Sequence, residues 1–371
     1  MRIIALGGAG DMGSRAVKEL AREDEVTELM IADYDEEKAN MLALEVGSSC
    51  KAMKIDANNA SELARAIEGY DVAMSAIGPF YKYERKVAQG ALEAGVNYIS
   101  ICDDYDAASA VFELDGEAKK KGLTVLTGVG WTPGMSNVMA RKGAGLLDEV
   151  DEIAVAWGGS ASDSEGYAVV LHTIHIFTGF VPSFQNGRWK MVAAGTDKER
   201  VLFPEPMGEI YVYHLGHPEP VTIPRFIPAK TVTLKGGLME QELNEVAIAL
   251  AKLRLTSTVG RKDYVGKLIK FLAPVLYKLG QPEYPVSAIR VDVTGTKKGK
   301  RRHFTYGAAD HMNNLTGVPL AIGALMLGRG EIEEKGVQAP ENCIEPDRFF
   351  AELAARDVKV YEGAKFENVI N

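Results

Sequence analysis

The first third of the chain alternates short apolar runs with amphipathic stretches. Six nearly continuous apolar runs predict strands, at residues 3–6, 28–33, 51–55, 71–77, 98–102 and 124–127. The stretches between them, such as 12–23 and 84–94, repeat apolar residues every three or four positions and predict helices. Apolar strands that alternate with helices are typical of a parallel sheet covered on both faces. The pattern predicts an α/β first domain, doubly wound, over residues 1–131.

The pattern changes after Trp131. Longer runs that alternate apolar and polar residues follow one another with fewer helices between them, at 152–157, 210–214, 231–234 and 287–294. They predict a second, α+β domain of mostly antiparallel sheet over residues 132–312. Residues 316–327 form a strongly apolar helical stretch of the kind usually buried between layers. The C-terminal segment, residues 313–371, is therefore expected to pack back on the first domain.

A glycine loop directly follows the first predicted strand. Gly8, Gly10 and Gly13 have the GxGxxG spacing of a Rossmann dinucleotide-binding loop. The helix that opens at Asp11 and Met12 would present N–H groups and a positive dipole end to a pyrophosphate. Asp33 ends the second strand, where a carboxylate accepts hydrogen bonds from ribose hydroxyls. These residues predict a nicotinamide dinucleotide site.

The residues around Asp33 bear on which dinucleotide binds. Tyr34 and Asp35 follow it, and no Lys or Arg occurs before Lys38, so a 2′-phosphate would meet repulsion. NAD is favoured over NADP. Residues Ala76, Gly78 and Pro79 follow the fourth strand, and we expect them near the nicotinamide half of the cofactor, although an ordinary strand-to-helix turn fits nearly as well.

Composition narrows the function class. The net charge is −9, and the basic run at 297–302 lies between two strand-like segments, where a hairpin turn accounts for it. No nucleic acid partner is expected. Three cysteines without a CxxC pair, no apolar run of membrane length and no signal segment predict a cytoplasmic protein without disulfides, zinc or a membrane partner.

Candidate proton carriers follow the fifth strand. Asp103 could bind or deprotonate a cationic amine, and the Tyr105 phenol could relay a proton. Asp104 could equally cap the next helix. His172 and His175 are spaced as half of a metal site, but no third ligand lies at a telling distance, so no metal is predicted and both stay candidates for proton transfer.

Two further segments are candidates for substrate binding. The turn that contains Trp131, Pro133 and Gly134 follows the sixth strand, where the chain leaves the nucleotide domain, and its backbone would help to wall a substrate pocket. Arg225, at a Pro-rich turn, could hold a substrate carboxylate through its guanidinium; a surface role is the alternative.

The combination of the loop at 8–13, the strand at 97–100 with Asp103 and Asp104 after it, and the turn at 130–137 resembles the saccharopine dehydrogenase superfamily. The tail from Thr316 to Glu341 is also similar to the closing segment of that family, whereas the middle, from about Ser160 to Lys300, matches loosely. The resemblance implies hydride transfer at the carbon of a C–N bond in an amino acid or polyamine, such as lysine, saccharopine or a related opine, and a homodimer formed through the second domain.

The sequence also leaves two other functional hypotheses open. One is a non-catalytic NAD(P)-binding redox sensor, which the lack of a DNA-reading motif and of a basic face makes less favoured. The other is an alcohol or aldehyde dehydrogenase on the same fold. An aldehyde enzyme that works through a thioester would need a reactive cysteine, and Cys102, at the end of a buried strand, is expected to be inert.

Overall fold

The computed structural model describes residues 1–47, 49–164, 166–276 and 282–370, and the side chains of 274–276 are not described. The first 126 residues alternate strands and helices as the sequence predicts. In chain order these elements are β1 (Arg2–Leu6), α1 (Asp11–Leu20), β2 (Glu28–Asp33), α2 (Glu36–Val46), β3 (Cys50–Lys54), α3 (Ala60–Ile67), β4 (Val72–Ser75), α4 (Phe80–Ala94), β5 (Asn97–Ser100), α5 (Tyr105–Phe112), α6 (Asp115–Lys121) and β6 (Thr124–Leu126).

The rest of the chain has more strands and longer ones. The elements are α7 (Met135–Gly145), β7 (Glu149–Gly159), α8 (Tyr167–Ile176), β8 (Phe180–Gln185), β9 (Arg188–Ala193), β10 (Glu199–Leu202), β11 (Glu209–His214), α9 (Glu219–Phe226), β12 (Ala229–Leu238), α10 (Gln241–Lys252), α11 (Val259–Leu276), β13 (Ser287–Lys297), β14 (Lys300–Asp310), α12 (Met312–Gly328), β15 (Gly336–Gln338), α13 (Pro340–Cys343), α14 (Pro346–Ala354), β16 (Val360–Glu362) and β17 (Asn368–Ile370).

The chain divides into two compact units, Met1–Met135 with Asn313–Glu345, and Ser136–Met312 with Pro346–Asn371. The first holds a seven-stranded sheet in the order β15-β6-β5-β4-β1-β2-β3, and every pairing in it is parallel. The strand order reverses between β1 and β4. This confirms the predicted Rossmann sheet and places its switch point at the glycine loop.

The second unit is built on a ten-stranded sheet. Its strands pair antiparallel except β12 with β7, which run parallel for nine residue pairs. The predicted α+β domain of mostly antiparallel sheet is confirmed.

The basic run is a hairpin turn between β13 and β14, in which Lys298 and Gly299 have φ of 51° and 70°, the left-handed values of a tight two-residue turn.

The C-terminal segment does not stay together, which corrects the expectation for residues 313–371. α12 and β15 belong to the first unit: Cβ atoms on Gly317 and Gly323 would lie 2.7 Å from Arg15 and Ile99 side-chain atoms, and β15 extends the parallel sheet beside β6. From Pro346 onwards the chain belongs to the second unit, because β16 pairs with β14.

Among the described residues, no helix is long and apolar enough to cross a bilayer.

Candidate active site

The loop after β1 is closely packed. A Cβ on Gly13 would lie 2.3 Å from the Gly7 carbonyl oxygen, and one on Gly8 would lie 2.8 Å from the Ala5 carbonyl oxygen, so only glycine fits at either position. Gly10 is exposed, is the N-cap of α1 and would meet nothing closer than 3.3 Å with an added Cβ. The open side of the loop therefore leaves room for a phosphate at the helix N-terminus.

Asp33 is held against this loop. Its carboxylate accepts hydrogen bonds from the backbone N–H of Ala9 and of Asp35, both at 3.0 Å. Lys38 pairs with Asp35 at 3.0 Å, and the Lys54 ammonium lies 5.5 Å from the centre of the Tyr34 ring. The carboxylate is thus fixed beside the glycine loop, and Lys38 and Lys54 contact other groups.

The segment after β4 reaches the same edge of the sheet. The Ala76 N–H donates to the Leu6 carbonyl at 2.8 Å, and a Cβ on Gly7 would lie 3.0 Å from the Ala76 carbonyl oxygen. The Gly78–Pro79 peptide is cis, and Pro79 is the N-cap of α4. The loops after β1, β2 and β4 therefore meet where the predicted cofactor residues stand, and their close-packed glycines, exposed N-cap and fixed carboxylate fit a dinucleotide.

The segment after β5 corrects one sequence alternative. Asp104 is the N-cap of α5 but makes no side-chain capping bond; its fully buried carboxylate accepts the Tyr81 N–H of α4 at 2.8 Å. Asp103 is partly buried beside it. Asp104 is thus tied to the first turn of the helix that follows Pro79.

Burial decides the protonation of two neighbours of this pair. Desolvation, with the charges of Asp106 and Asp104, raises the pKa of Tyr105 to about 12, so its phenol stays protonated at neutral pH and can donate a hydrogen bond. Desolvation and nearby carboxylates also raise the pKa of the fully buried Cys102 thiol well above its usual range. A thiolate at Cys102 is disfavoured, as expected for inert core.

The turn after β6 is a tight backbone feature. The Thr132–Pro133 peptide is cis, Gly134 has a φ of 128°, and a Cβ on Gly134 would lie 2.1 Å from the Gly130 carbonyl oxygen. The Val129 N–H donates to the Ser100 carbonyl at 2.7 Å. Trp131 is buried, with 8% of its surface exposed. The structure therefore brings Trp131, Pro133 and Gly134 to the same edge of the first unit as Asp103.

The second unit carries the histidine candidates on α8, and it separates their roles. His175 is buried and hydrogen-bonded through Nδ1 to the Lys262 ammonium of α11. His172 is partly exposed and meets the ring of His217 edge-on, with ring centres 5.1 Å apart. His172 is thus the member of the pair that has access to solvent.

His217 leads to a buried polar cluster that sequence reasoning did not nominate. Its Nδ1 lies 3.7 Å from a carboxylate oxygen of Glu219, which is fully buried at the start of α9. The other oxygen of Glu219 accepts the Ser136 hydroxyl at 3.0 Å. The only sequence signal was the His217-Pro218-Glu219 spacing after a strand, which does not reveal that α8 and α7 pack there.

Arg225 does not lie in a turn, contrary to the sequence expectation. Residues 219–226 form α9, with Pro224 inside it, and Arg225 is exposed in its last turn. Its Nε donates to the Val221 carbonyl of the same helix at 3.2 Å. Pro224 has no N–H to donate to the Pro220 carbonyl four residues earlier, and that carbonyl accepts the Trp189 indole N–H at 2.9 Å instead.

Comparison with protein families identifies the chain. The family model described as the saccharopine dehydrogenase NADP binding domain matches residues 3–126, and the one described as the saccharopine dehydrogenase C-terminal domain matches residues 130–358. The chain belongs to the saccharopine dehydrogenase family. It is an NAD(P)-dependent oxidoreductase of that family, acting on CH–NH or CH–NH2 groups, and the resemblance seen in the sequence is confirmed. A non-catalytic sensor is thereby set aside.

The individual proteins to which the chain is similar are distant from it in sequence. Carboxyaminopropylagmatine dehydrogenase of Synechocystis is 22% identical and spans 98% of both chains. Carboxynorspermidine synthase of Vibrio alginolyticus is 25% identical over 81% of this chain and 79% of its own. The apo saccharopine dehydrogenase (L-Glu forming) of Saccharomyces cerevisiae superposes with a TM-score of 0.68 at 17% identity, covering 98% of this chain and 99% of that chain. At that identity the superposition shows the shared fold.

Proposed function

We propose that this enzyme interconverts an imine and a secondary amine on a diamine or polyamine that carries a carboxyalkyl group. The carboxylate pair Asp103 and Asp104 carries the proposal, because it places negative charge at the carboxyl edge of the cofactor sheet, where a cationic amine is attracted. The full-length similarity to carboxyaminopropylagmatine dehydrogenase supports a polyamine substrate over lysine or saccharopine.

Each candidate side chain has its own role in the proposed reaction. When bound, the nicotinamide supplies or accepts the hydride at the carbon of the C–N bond. Asp103 binds the substrate cation, and Tyr105 donates a hydrogen bond as a neutral phenol. His172 delivers a proton to nitrogen during reduction and removes it during oxidation. His217 and Glu219 orient the His172 ring. Trp131, Pro133 and Gly134 wall the substrate side, and Arg225 is kept as the candidate for the substrate carboxylate.

A substrate panel tests this function. Reduced cofactor is mixed with amino-acid semialdehydes together with agmatine, 1,3-diaminopropane or putrescine, and with the lysine and saccharopine pairs, and absorbance of the reduced nicotinamide is followed. Turnover with the diamine or agmatine imines at a kcat/KM at least roughly tenfold above the lysine-derived substrates supports the proposal. The reverse order of specificity rejects it.

His172→Gln should lower kcat by about 100-fold, with a smaller change in KM, because a general acid–base group contributes at that scale. His303→Gln is the matched control, since His303 is a half-exposed histidine on β14. Wild-type kcat in His172→Gln would remove His172 from the mechanism.

NAD is proposed as the preferred cofactor, although the matching family domain is described as NADP-binding. The Asp33 carboxylate, fixed by Ala9 and Asp35, would face a 2′-phosphate. NADH should bind at least roughly tenfold more tightly than NADPH in fluorescence titrations, and Asp33→Asn should narrow that ratio. Asp24→Asn, at an exposed carboxylate, is the control. Tighter NADPH binding by the wild type would contradict the assignment.

The homodimer and the cytoplasmic location stay predictions. Multi-angle light scattering of the purified chain measures the first, and a mass of one chain at micromolar concentration would contradict it.

A further inference from the structure

A buried carboxyl group in the cofactor-binding unit has no part in the chemistry above. Glu84, on α4, is 1% exposed. Its carboxyl group contacts three hydroxyls: Tyr98 at 2.9 Å, Ser100 at 2.5 Å and Thr127 at 3.2 Å. Tyr98 and Ser100 belong to β5, and Thr127 follows β6. One carboxyl group thus joins a helix to the carboxyl ends of two adjacent parallel strands.

These contacts extend to the loop that carries Asp103. The Ser100 hydroxyl that donates to Glu84 lies 3.4 Å from the Cys102 N–H, for which it is the acceptor. Three residues before Glu84 on the same helix, the Tyr81 N–H binds the Asp104 carboxylate at 2.8 Å. The start of α4 therefore holds Asp104 directly and Cys102 through Ser100.

We infer that Glu84 is a positioning residue whose buried carboxyl group fixes the loop at 102–105 beside the nicotinamide end of the cofactor site. Ser100 and Thr127 donate to one oxygen of its carboxyl group, and Tyr98 donates to the other. Loss of its proton places a second negative charge in a buried region next to Asp104 and repels the loop from α4. The titratable groups that face it are Tyr98 of β5 and Cys102 and Asp104 of the loop.

The electrostatic balance agrees with this geometry. Desolvation raises the pKa of Glu84 to about 7, against the opposing hydrogen bonds from Ser100, Tyr98 and Thr127, and the charge of Asp104 raises it further. A carboxyl group whose pKa is raised in the folded state stabilises the fold fully below its unfolded pKa of 4.5, and this contribution is lost as pH rises to about 7. The contribution of Glu84 to stability therefore changes between pH 4.5 and about pH 7.

The experiment compares wild type, Glu84→Gln and Glu84→Ala, with Glu93→Gln, an exposed glutamate on the same helix, as control. Glutamine keeps the shape and cannot ionise. Two quantities are measured between about pH 5 and pH 8: the free energy of unfolding in urea and the Kd of NADH by fluorescence. Neither depends on the identity of the substrate, so failure of the proposed function would leave this test intact.

In wild type and Glu93→Gln, the free energy of unfolding should fall as the pH rises from about 5 to 8. The Kd of NADH should rise at least roughly fivefold over the same pH range. Both dependences should flatten in Glu84→Gln, whose Kd at low pH stays near the wild-type value. Glu84→Ala should bind NADH weakly at every pH, because three buried hydroxyls lose their partner. Equal pH dependence of NADH binding in wild type and Glu84→Gln would overturn the proposal, even if only the stability profile differed, since Glu84 would then be purely structural.

Discussion

At the scale of single residues, steric fit and protonation separate the functional side chains from their neighbours. The GxGxxG spacing predicts a phosphate-binding loop, and the structure shows the environment of each glycine: Gly8 and Gly13 have no space for a Cβ, whereas Gly10 is open to the solvent. The histidine pair shows the opposite case. Spacing could not separate His172 from His175, because only the packing of α11 and of the segment at 217 gives them different partners.

Gly13→Ala tests the steric argument at the glycine loop. The new methyl group would lie 2.3 Å from the Gly7 carbonyl oxygen, so the loop must shift. We expect NADH affinity to fall at least roughly tenfold and stability by about 1–3 kcal/mol, the usual cost of overpacking. Fluorescence titration and urea unfolding measure the two effects. Gly116→Ala, in open space on α6, should change neither by a comparable amount, and wild-type NADH affinity in Gly13→Ala would refute the packing argument.

At the scale of elements, hydrophobic pattern predicted strands well wherever a strand is buried on both faces. β2 has the predicted bounds, and both ends of each of the other five predicted strands lie within about two residues of the observed ends. β15 was missed because three residues carry no periodicity, and they form a strand only because β6 offers its edge. α9 was missed because Pro224 suggests a turn, whereas in the fold the Trp189 indole N–H satisfies the Pro220 carbonyl that the proline cannot bond.

The packing of α12 on the first unit gives an element-scale prediction. A Cβ on Gly317 would lie 2.7 Å from the Arg15 Cβ and 2.9 Å from the Met12 carbonyl oxygen, so Gly317→Ala must push α12 away from α1. The free energy of unfolding should fall by about 1–3 kcal/mol in urea titrations. Gly145→Ala, which has open space at the end of α7, should leave it unchanged within error. An equal effect of the two substitutions would show that α12 does not press on α1.

At the scale of the whole molecule, the first unit is discontinuous in sequence, since it needs both residues 1–135 and residues 313–345. A fragment of residues 1–135 lacks α12 and the edge strand β15, and it exposes apolar surface that α12 buries. We expect this fragment to unfold without a cooperative transition, and a synthetic 313–345 peptide to restore one in thermal circular dichroism. A scrambled peptide of the same composition is the control. A cooperative transition in the fragment alone would disprove the dependence.

The sequence by itself determined the features that depend on local order: the parallel and antiparallel halves, the glycine loop, Asp33, the hairpin at Lys298 and the family. These follow from periodicity and from backbone conformations that few residues adopt, both of which are readable over short windows. Only the tertiary structure decided the division of the C-terminal segment, the partner of each histidine, and the clusters around Glu84 and Glu219. Those features depend on contacts between residues that are far apart in the chain. The protonation state of a buried carboxyl group follows from its burial and from the absence of a nearby counter-charge, which the residue type alone does not reveal.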